Sequence, residues 1–184
     1  ISMKNIFTLF FILFGLNAFS QTTKNIAATD VTAPVGTLVE VEITLESDLW
    51  NCNGFAGSIT WDASVATYSS ITDFGSLFNP EMDISDFNIS QVASGIISWD
   101  WTPTFTIGPT LSAGDLMFTI QFQAVGADGS YTDITFSNSP EALYWNEGGL
   151  MSGTFIGDNG SITVGGLNLT GCYDPDNWTT NTEN

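Results

Sequence analysis

The strongest constraint on the fold is the strict alternation of apolar and polar side chains along Val39–Leu45, within the segment Leu38–Leu45. Every second residue from Val39 onward is apolar, and the residues between them are two glutamates and a threonine. Because successive side chains of a strand point to opposite faces of a sheet, this segment has one buried and one solvated face. The pattern predicts a β-strand, and no window of the sequence shows a persuasive helical period.

Short segments of similar character recur along the chain and are separated by clusters of Gly, Asn, Asp and Pro. About ten short strands in one domain are typical of an all-β fold, an antiparallel β-sandwich. The predicted strands are Ile26–Val31, Leu38–Leu45, Gly54–Trp61, Ala66–Ile71, Phe87–Val92, Ile96–Trp101, Asp115–Ala124, Tyr131–Phe136, Ala142–Trp145, Ser152–Ile156 and Ser161–Val164.

Residues 1–20 have the three parts of a secretory signal peptide. Met3-Lys4-Asn5 supplies a positive start, Ile6–Leu16 is almost wholly apolar, and Ala18-Phe19-Ser20 places small residues ahead of a cleavage site before Gln21. The alternative is a membrane anchor, but the apolar run is shorter than the roughly 20 residues that a membrane helix needs. We therefore expect a secreted protein, extracellular or at the cell surface, with no membrane span after cleavage.

The predicted sandwich occupies residues 26–164, preceded by an N-terminal lead at 21–25. After Val164 the chain continues with two glycines and becomes rich in Asn, Thr and Asp. This composition is typical of a linker, so residues 165–184 are interpreted as a linker or the start of a truncated following segment.

The chain is strongly acidic, with 2 Lys+Arg, 20 Asp+Glu, no His and a formal net charge of −18. Lys4 leaves with the signal peptide, so Lys24 is the single basic residue of the mature part. Such a surface repels nucleic acid and anionic membranes. Since 43% of the residues are hydrophobic and 13% aromatic, the chain has enough apolar surface for a folded core. The charge either keeps the exported protein soluble or attracts divalent cations or a basic partner.

The residue inventory disfavours catalysis and predicts no catalytic residues. Without His the chain lacks the usual general base, imidazole metal ligands and a Ser-His-Asp relay. A single Lys cannot build the cationic clamp of phosphoryl transfer. A two-carboxylate glycosidase needs only two acids, but 20 acids place some pair at a suitable separation by chance. No cofactor is indicated, and a structural calcium ion stays open, although Asp174–Thr179 lacks the residues of an EF-hand loop.

Two pairs of aromatic residues are candidates for core or contact roles. Trp99 and Trp101 share one face of their predicted strand, which favours the core, with a sugar-stacking platform as the alternative. Tyr144 and Trp145 are neighbours on a strand and point to opposite faces. One of these two is therefore expected to be an exposed aromatic contact.

Cys52 and Cys172 are the only cysteines. In an exported chain such a pair is a candidate disulfide, which would close a loop of roughly 120 residues and stabilise the fold by about 4–5 kcal/mol. The alternative is that Cys172 pairs with a cysteine in a following repeat.

Several segments in a fixed order resemble one known family. They are Val31–Gly36 leading into Val39–Val41, Gly54–Asp62 followed by Tyr68, Gly95–Trp101, Leu111–Ile120 and the closing Gly160–Val164. Their order resembles the cohesin domain, and the resemblance covers Ile26–Val164. It implies a nine-stranded jelly-roll sandwich related in fold to carbohydrate-binding modules.

Cohesins bind dockerin modules through a flat sheet face and so dock enzymes onto scaffolds. The family places polar residues on its third strand, where this chain has Gly54 and Ala56, which supply no side-chain hydrogen bonds. Contacts are therefore expected from outward positions of neighbouring strands on the same face. The candidate partner-binding residues that the resemblance implies are Asn88, Ser90, Asp100 and Thr102.

The resemblance implies a secreted, non-catalytic module for protein–protein docking of the dockerin type, in extracellular assembly linked to polysaccharide degradation. The alternatives are a carbohydrate-binding module of the same sandwich class, whose partner is a polysaccharide, and a structural spacer of a surface adhesin. The segments Ala18–Gln21 and Gly171–Asp176 are also similar in style to those of Bacteroidetes surface and secreted proteins.

Overall fold

The computed structural model describes residues 23–76, 78, 81–104, 107–148 and 151–166. The predicted signal peptide, most of the predicted linker and Cys172 lie outside the described residues. The strands are β1 (Lys24–Ala28), β2 (Asp30–Ala33), β3 (Leu38–Leu45), β4 (Cys52–Thr60), β5 (Ala66–Phe74), β6 (Phe87–Asn88), β7 (Ile96–Trp101), β8 (Leu116–Ala124), β9 (Tyr131–Ser137), β10 (Tyr144–Glu147), β11 (Met151–Gly153), β12 (Phe155–Asp158) and β13 (Gly160–Val164).

In the residues that the structure describes, the helical content is limited to two short 3-10 turns, Ile84–Asp86 and Val92–Ser94. Within the described ranges, no helix has both the length and the apolar character that a bilayer crossing requires.

The strands form two sheets that enclose one main apolar core. The smaller sheet has five strands in the order β12-β1-β3-β8-β5. In the larger, eight-stranded sheet, one edge of β4 pairs with β7, which in turn pairs with β6. The other edge of β4 is shared, because β10 pairs with its first half and β9 with its second half. The predicted all-β sandwich is confirmed.

Most strand pairs are antiparallel, as predicted, but two pairs are parallel, so both sheets are mixed. β1 pairs with β12 in parallel, and β2 pairs with β13 in parallel. The chain passes from β1 in the smaller sheet to β2 in the larger sheet at Thr29. It passes from β12 to β13 in the same way at Asn159. Gly160 allows this close approach, because a Cβ at that position would lie 2.4 Å from the Thr29 carbonyl oxygen. The predicted single strand Ile26–Val31 is therefore two strands, and β1 begins at Lys24, within the predicted lead.

The predicted strand Phe87–Val92 is wrong beyond Asn88. The Asn88 side-chain oxygen accepts hydrogen bonds from the Ser90 backbone N–H, at 3.1 Å, and from the Ser90 hydroxyl, at 2.7 Å. A short polar side chain that bonds the backbone two residues on forms a turn instead of continuing a strand. Ser90 is exposed in this turn.

The core contains the tryptophans that the alternation of β7 directs inward. Trp99 lies with its ring centroid 5.0 Å from that of Phe118, and Trp101 lies 5.1 Å from Phe55. Both indoles are buried, so the prediction of a core role is confirmed.

Trp145 is not an exposed contact, and the interpretation that included it as one is wrong. Its side chain is 0% exposed, because Trp145 pairs with Phe55 on the inward face of the sheet. Its indole N–H donates to the Thr154 carbonyl at 3.2 Å. Tyr144, on the opposite face, is the exposed member of the pair at 39%.

Lys24 joins the two sheets at one end of the sandwich. Its ammonium nitrogen lies 3.0 Å from Glu147 Oε1, donates to the Asp48 carbonyl and lies 5.3 Å from the centroid of the Trp145 ring. The same Glu147 oxygen accepts the Trp50 backbone N–H at 2.7 Å. The single basic side chain of the predicted mature chain is thus already paired within the fold.

Cys52 lies in β4 with its thiol fully buried. Desolvation by burial raises the pKa of this thiol to about 11. Cys172 lies outside the described residues, so the disulfide between the two cysteines stays a prediction.

Candidate functional site

The outer face of the larger sheet carries three rows of side chains that cross β4 and point away from the core. Strand register sets the first two rows, and the third includes Thr102, which lies beside Gly54 immediately after β7. The rows are Asn88, Ser98, Ser58 and Ser137; Asp100, Ala56 and Tyr144; and Thr102, Gly54 and Asn146. We call these three rows the outer face.

The surface of the outer face is recessed along β4, because the residues of β4 there are small. Ala56 lies directly between Asp100 and Tyr144 and is only 7% exposed. A Cβ on Gly54 would lie 2.9 Å from the Trp101 carbonyl oxygen, and the residue has a φ of +145°, so a side chain there is disfavoured. The result is a shallow trough along β4, with polar and aromatic side chains on both sides.

Three of the four predicted contact residues lie on one side of this trough. Asn88, Asp100 and Thr102 are all exposed and follow one another along the edge formed by β6, β7 and the residue after it. Ser90 lies beyond the strand, where its hydroxyl bonds to Asn88. The structure thus brings the four residues into one region, and their contact with a partner stays a prediction.

The loop between β9 and β10 covers part of the first row. The Ser58 hydroxyl donates to the Glu141 carbonyl at 2.9 Å and accepts the Glu141 backbone N–H at 2.8 Å. Leu143 N–H donates to the Asn138 side-chain oxygen at 2.9 Å, which closes the loop on itself. These bonds hold the Glu141 carboxylate at the outer face.

The Ser58→Ala variant tests this anchoring. We expect it to lower the free energy of unfolding by about 1–2 kcal/mol, because two backbone groups lose their hydrogen-bond partner in a partly buried setting. Urea denaturation measures the change. Ser112→Ala, which removes an exposed hydroxyl, is the control and should change stability by less than about 0.5 kcal/mol. Equal effects of the two changes would contradict the anchoring role.

A cavity of about 180 Å³ opens beside the first row, between the 3-10 turn Ile84–Asp86 and the β9–β10 loop. Asp83 caps this turn by accepting the Ser85 N–H at 2.7 Å, and Asp86 reaches back to the Asp83 N–H at 2.9 Å. We call this cavity the acidic notch. Its lining residues are Ser85, Asp86, Phe87, Asn88, Ser98, Trp99, Asp100 and Glu141.

The electrostatics of the acidic notch disfavour the charged form of Asp86. Desolvation raises the pKa of Asp86, and the negative charges of Asp83 and Asp100 raise it further, while the hydrogen bond from the Asp83 N–H opposes the shift. Asp86 therefore keeps its proton to a higher pH than an ordinary aspartate does. A cation placed here would relieve this repulsion.

Sequence reasoning missed Glu141 and Asp86 as parts of the site. The sequence Asp83-Ile84-Ser85-Asp86 contains a capping signal that could have located the turn. No local signal could have located Glu141, because its position depends on a bond to Ser58, which lies 83 positions away.

Sequence reasoning also missed Trp50, which is 69% exposed. It lies in the loop between β3 and β4, at the end of the sandwich, and its ring packs near Gly148. The other described tryptophans are buried. Leu49 bridges to Leu111 and is buried, so alternation from Leu49 would have placed Trp50 outside.

Comparisons with known proteins identify the fold. No family model matches the chain, and no curated protein matches it in sequence. The sixth cohesin of scaffoldin B from Acetivibrio cellulolyticus, solved in complex with a dockerin, matches with a TM-score of 0.63 and 19% identity, over 78% of this chain and 99% of that chain. A type I cohesin–dockerin complex from Clostridium thermocellum matches with a TM-score of 0.63 and 16% identity, over the same shares.

A non-cellulosomal cohesin from the archaeon Archaeoglobus fulgidus also matches, with a TM-score of 0.60 and 14% identity, over 82% of this chain and 96% of that chain. The chain therefore has the cohesin fold, a jelly-roll β-sandwich. The resemblance drawn from the sequence is confirmed at the level of the fold.

Proposed function

We propose that this chain is a non-catalytic protein-docking module that binds a dockerin-type partner through the outer face. The observation that carries the proposal is the trough along β4, where Gly54 and Ala56 leave a floor of small residues across the centre of the sheet. The matching structures from Acetivibrio cellulolyticus and Clostridium thermocellum, both solved with dockerins, support the same class of partner.

The chemistry around the trough suits protein recognition. Protein interfaces have a well-packed centre with aromatic anchors and a polar rim that bonds to the partner and to water. Here Tyr144 is the exposed aromatic side chain, while Asn88, Asp100 and Thr102 form a polar rim. The small side chains of the floor let a partner approach the sheet closely.

The proposal includes an extracellular setting in assemblies linked to polysaccharide degradation. The signal-like pattern of residues 1–20 supports export. The net charge of −18 favours solubility, because copies of the module repel one another.

Binding measured by calorimetry tests the proposal. The purified chain is titrated with a panel of dockerin modules encoded in the same genome, with calcium and with a chelator. We expect at least one module to bind with a dissociation constant in the micromolar range or tighter, as specific interfaces of standard size do. If no module binds in either condition, the proposal is wrong.

Carbohydrate binding is the second candidate function, and exposure of Trp50 favours it. A flat indole that is 69% exposed offers an apolar surface next to polar groups of Asn51 and Glu147. This site lies at the end of the sandwich, away from the three rows of the outer face.

Titration of tryptophan fluorescence with cellohexaose and xylohexaose tests the second candidate. If the chain binds such sugars at this end, quenching is expected, and Trp50→Ala should weaken it at least about tenfold, because a central Trp contact carries much of a binding energy. Tyr131→Ala, which removes another exposed aromatic side chain, is the control and should leave quenching unchanged. A flat titration, or quenching that survives Trp50→Ala, would exclude this candidate.

A further inference from the structure

The sequence Asn88-Ile89-Ser90 at the end of β6 has the pattern of an N-linked glycosylation site. Asn-x-Ser/Thr, with any residue but proline in the middle, is the acceptor sequence for N-linked glycans in secreted proteins. Asn88, Ile89 and Ser90 are all exposed, and so is the following Gln91. An enzyme can therefore reach the whole acceptor sequence in the folded chain.

The turn after β6 also sets the conformation of this acceptor sequence. Asn88 Oδ1 accepts the Ser90 backbone N–H at 3.1 Å and the Ser90 hydroxyl at 2.7 Å. Both bonds are made to the oxygen, so neither of them occupies Nδ2, the atom that takes a glycan. Two donors on Oδ1 stabilise the negative charge that this oxygen gains when Nδ2 gives up a proton. The fold thus holds the Ser90 hydroxyl against the group that has to react.

A second Asn-x-Ser sequence in the described residues, Asn159-Gly160-Ser161, lacks this arrangement. Asn159 is exposed, but its Oδ1 accepts the Phe136 backbone N–H at 3.0 Å. The Ser161 hydroxyl donates to Asp30 at 2.7 Å, and Gly160 is buried in β13. Exposure therefore does not distinguish the two asparagines, whereas the direction of the serine hydroxyl does.

We propose that Asn88 is an acceptor site for an N-linked oligosaccharide. The donor is an oligosaccharide joined to a lipid through pyrophosphate. Asn88 Nδ2 attacks C1 of the first sugar and loses a proton, so that a C1–N bond forms. The bond between C1 and the pyrophosphate oxygen breaks, and the lipid pyrophosphate leaves with its electron pair. The signal-like pattern of residues 1–20 supports access to such a donor, because N-linked glycans are carried by secreted proteins.

The acceptor site goes beyond the proposed docking function, and only its consequence for docking rests on that function. Asn88 lies in the first row of the outer face, at one side of the trough. A bulky, hydrophilic oligosaccharide attached there covers that side and hinders the approach of a partner to the sheet. The glycosylated chain is therefore expected to bind a dockerin at least about tenfold more weakly than the unmodified chain.

Transfer in vitro tests the acceptor site. The purified, folded chain is incubated with a lipid-pyrophosphate-linked oligosaccharide and an oligosaccharyltransferase that recognises Asn-x-Ser/Thr, and mass spectrometry of peptides follows each asparagine. We expect Asn88 to be modified at least about tenfold faster than Asn159, the factor that one or two hydrogen bonds supply. Synthetic peptides of residues 84–94 and 155–165 are the matched control. They should react at similar rates, because neither has the fold.

Two serine variants test the role of the hydroxyl. Ser90→Ala should stop modification of Asn88, whereas Ser94→Ala, which removes an exposed hydroxyl from the next turn, should leave it unchanged. The inference is overturned if Asn88 stays unmodified in the folded chain, if Asn159 reacts at an equal or higher rate, or if Ser90→Ala has no effect. Two Asn-x-Thr sequences, at Asn168 and Asn177, lie outside the described residues and are followed as separate peptides.

The transfer assay contains no dockerin, so failure of the acceptor site and failure of the docking proposal are distinguishable. Calorimetry with a chain that carries Asn168→Gln and Asn177→Gln and is modified at Asn88 measures the consequence for docking. Equal affinity of the modified and unmodified forms for a dockerin would show that the glycan does not regulate docking, and the acceptor site would stand.

Discussion

Replacing Ala56 by tryptophan is expected to abolish docking and to leave the fold intact. The side chain at this position points away from the core, between Asp100 and Tyr144. An indole there fills the trough and separates the partner from the sheet across the centre of the interface. Because central, desolvated contacts dominate binding energies, we expect the affinity for a dockerin to fall at least about a hundredfold.

Calorimetry measures the affinity, and thermal unfolding shows whether the fold is retained. The matched control is Ala27→Trp, which makes the same change on the outer surface of the smaller sheet. Ala27 lies in register between Asp158 and Thr44, so its flanks are also an acid and a polar side chain. If Ala56→Trp binds as tightly as Ala27→Trp, docking does not use the outer face.

Replacing Lys24 by methionine is expected to lower the free energy of unfolding more than Ser58→Ala does. Glu147 has a side chain that is only 9% exposed, and Lys24 is its cationic partner at 3.0 Å. Removing one member of a nearly buried pair leaves an uncompensated charge, which typically costs about 3–5 kcal/mol. Since the Lys24 side chain is 20% exposed, we expect the lower end, about 3 kcal/mol.

Urea unfolding measures this loss, and a double variant identifies its cause. Lys24→Met combined with Glu147→Gln removes the unpaired charge but keeps an oxygen that accepts the Trp50 N–H. The double variant should therefore recover at least half of the lost stability. Glu40→Gln, on the solvated face of β3, is the control and should change stability by less than about 0.5 kcal/mol. A loss below about 1 kcal/mol for Lys24→Met would show that the pair behaves as a surface salt bridge.

Strands with a strong local pattern were predictable to the residue. Leu38–Leu45 alternates from Val39 onward, and Ile96–Trp101 follows a glycine with a φ of +72° and places its tryptophans on one face. The crossing at Thr29 was not predictable, because the pattern of Ile26–Val31 does not say which sheet each half joins. The end of β6 at Asn88 was set by an Asx turn that competes with the strand.

The candidate site was predictable only where alternation decides the direction of a side chain. Asn88 and Asp100 point outward as expected. The adjacent Tyr144 and Trp145 had to face opposite ways, but only the pairing of β10 with β4 decides which of them is buried. The position of Glu141 depends on long-range contacts, so no short stretch of the sequence predicts that it lies at the outer face.

A hydrogen-exchange footprint of the chain with a bound dockerin tests the central claim most directly. The account predicts slower exchange in β4, β7 and β10, with the maximum around Ala56, and no change in the smaller sheet. Protection confined to the smaller sheet, or to the end of the sandwich around Trp50, would contradict docking through the outer face.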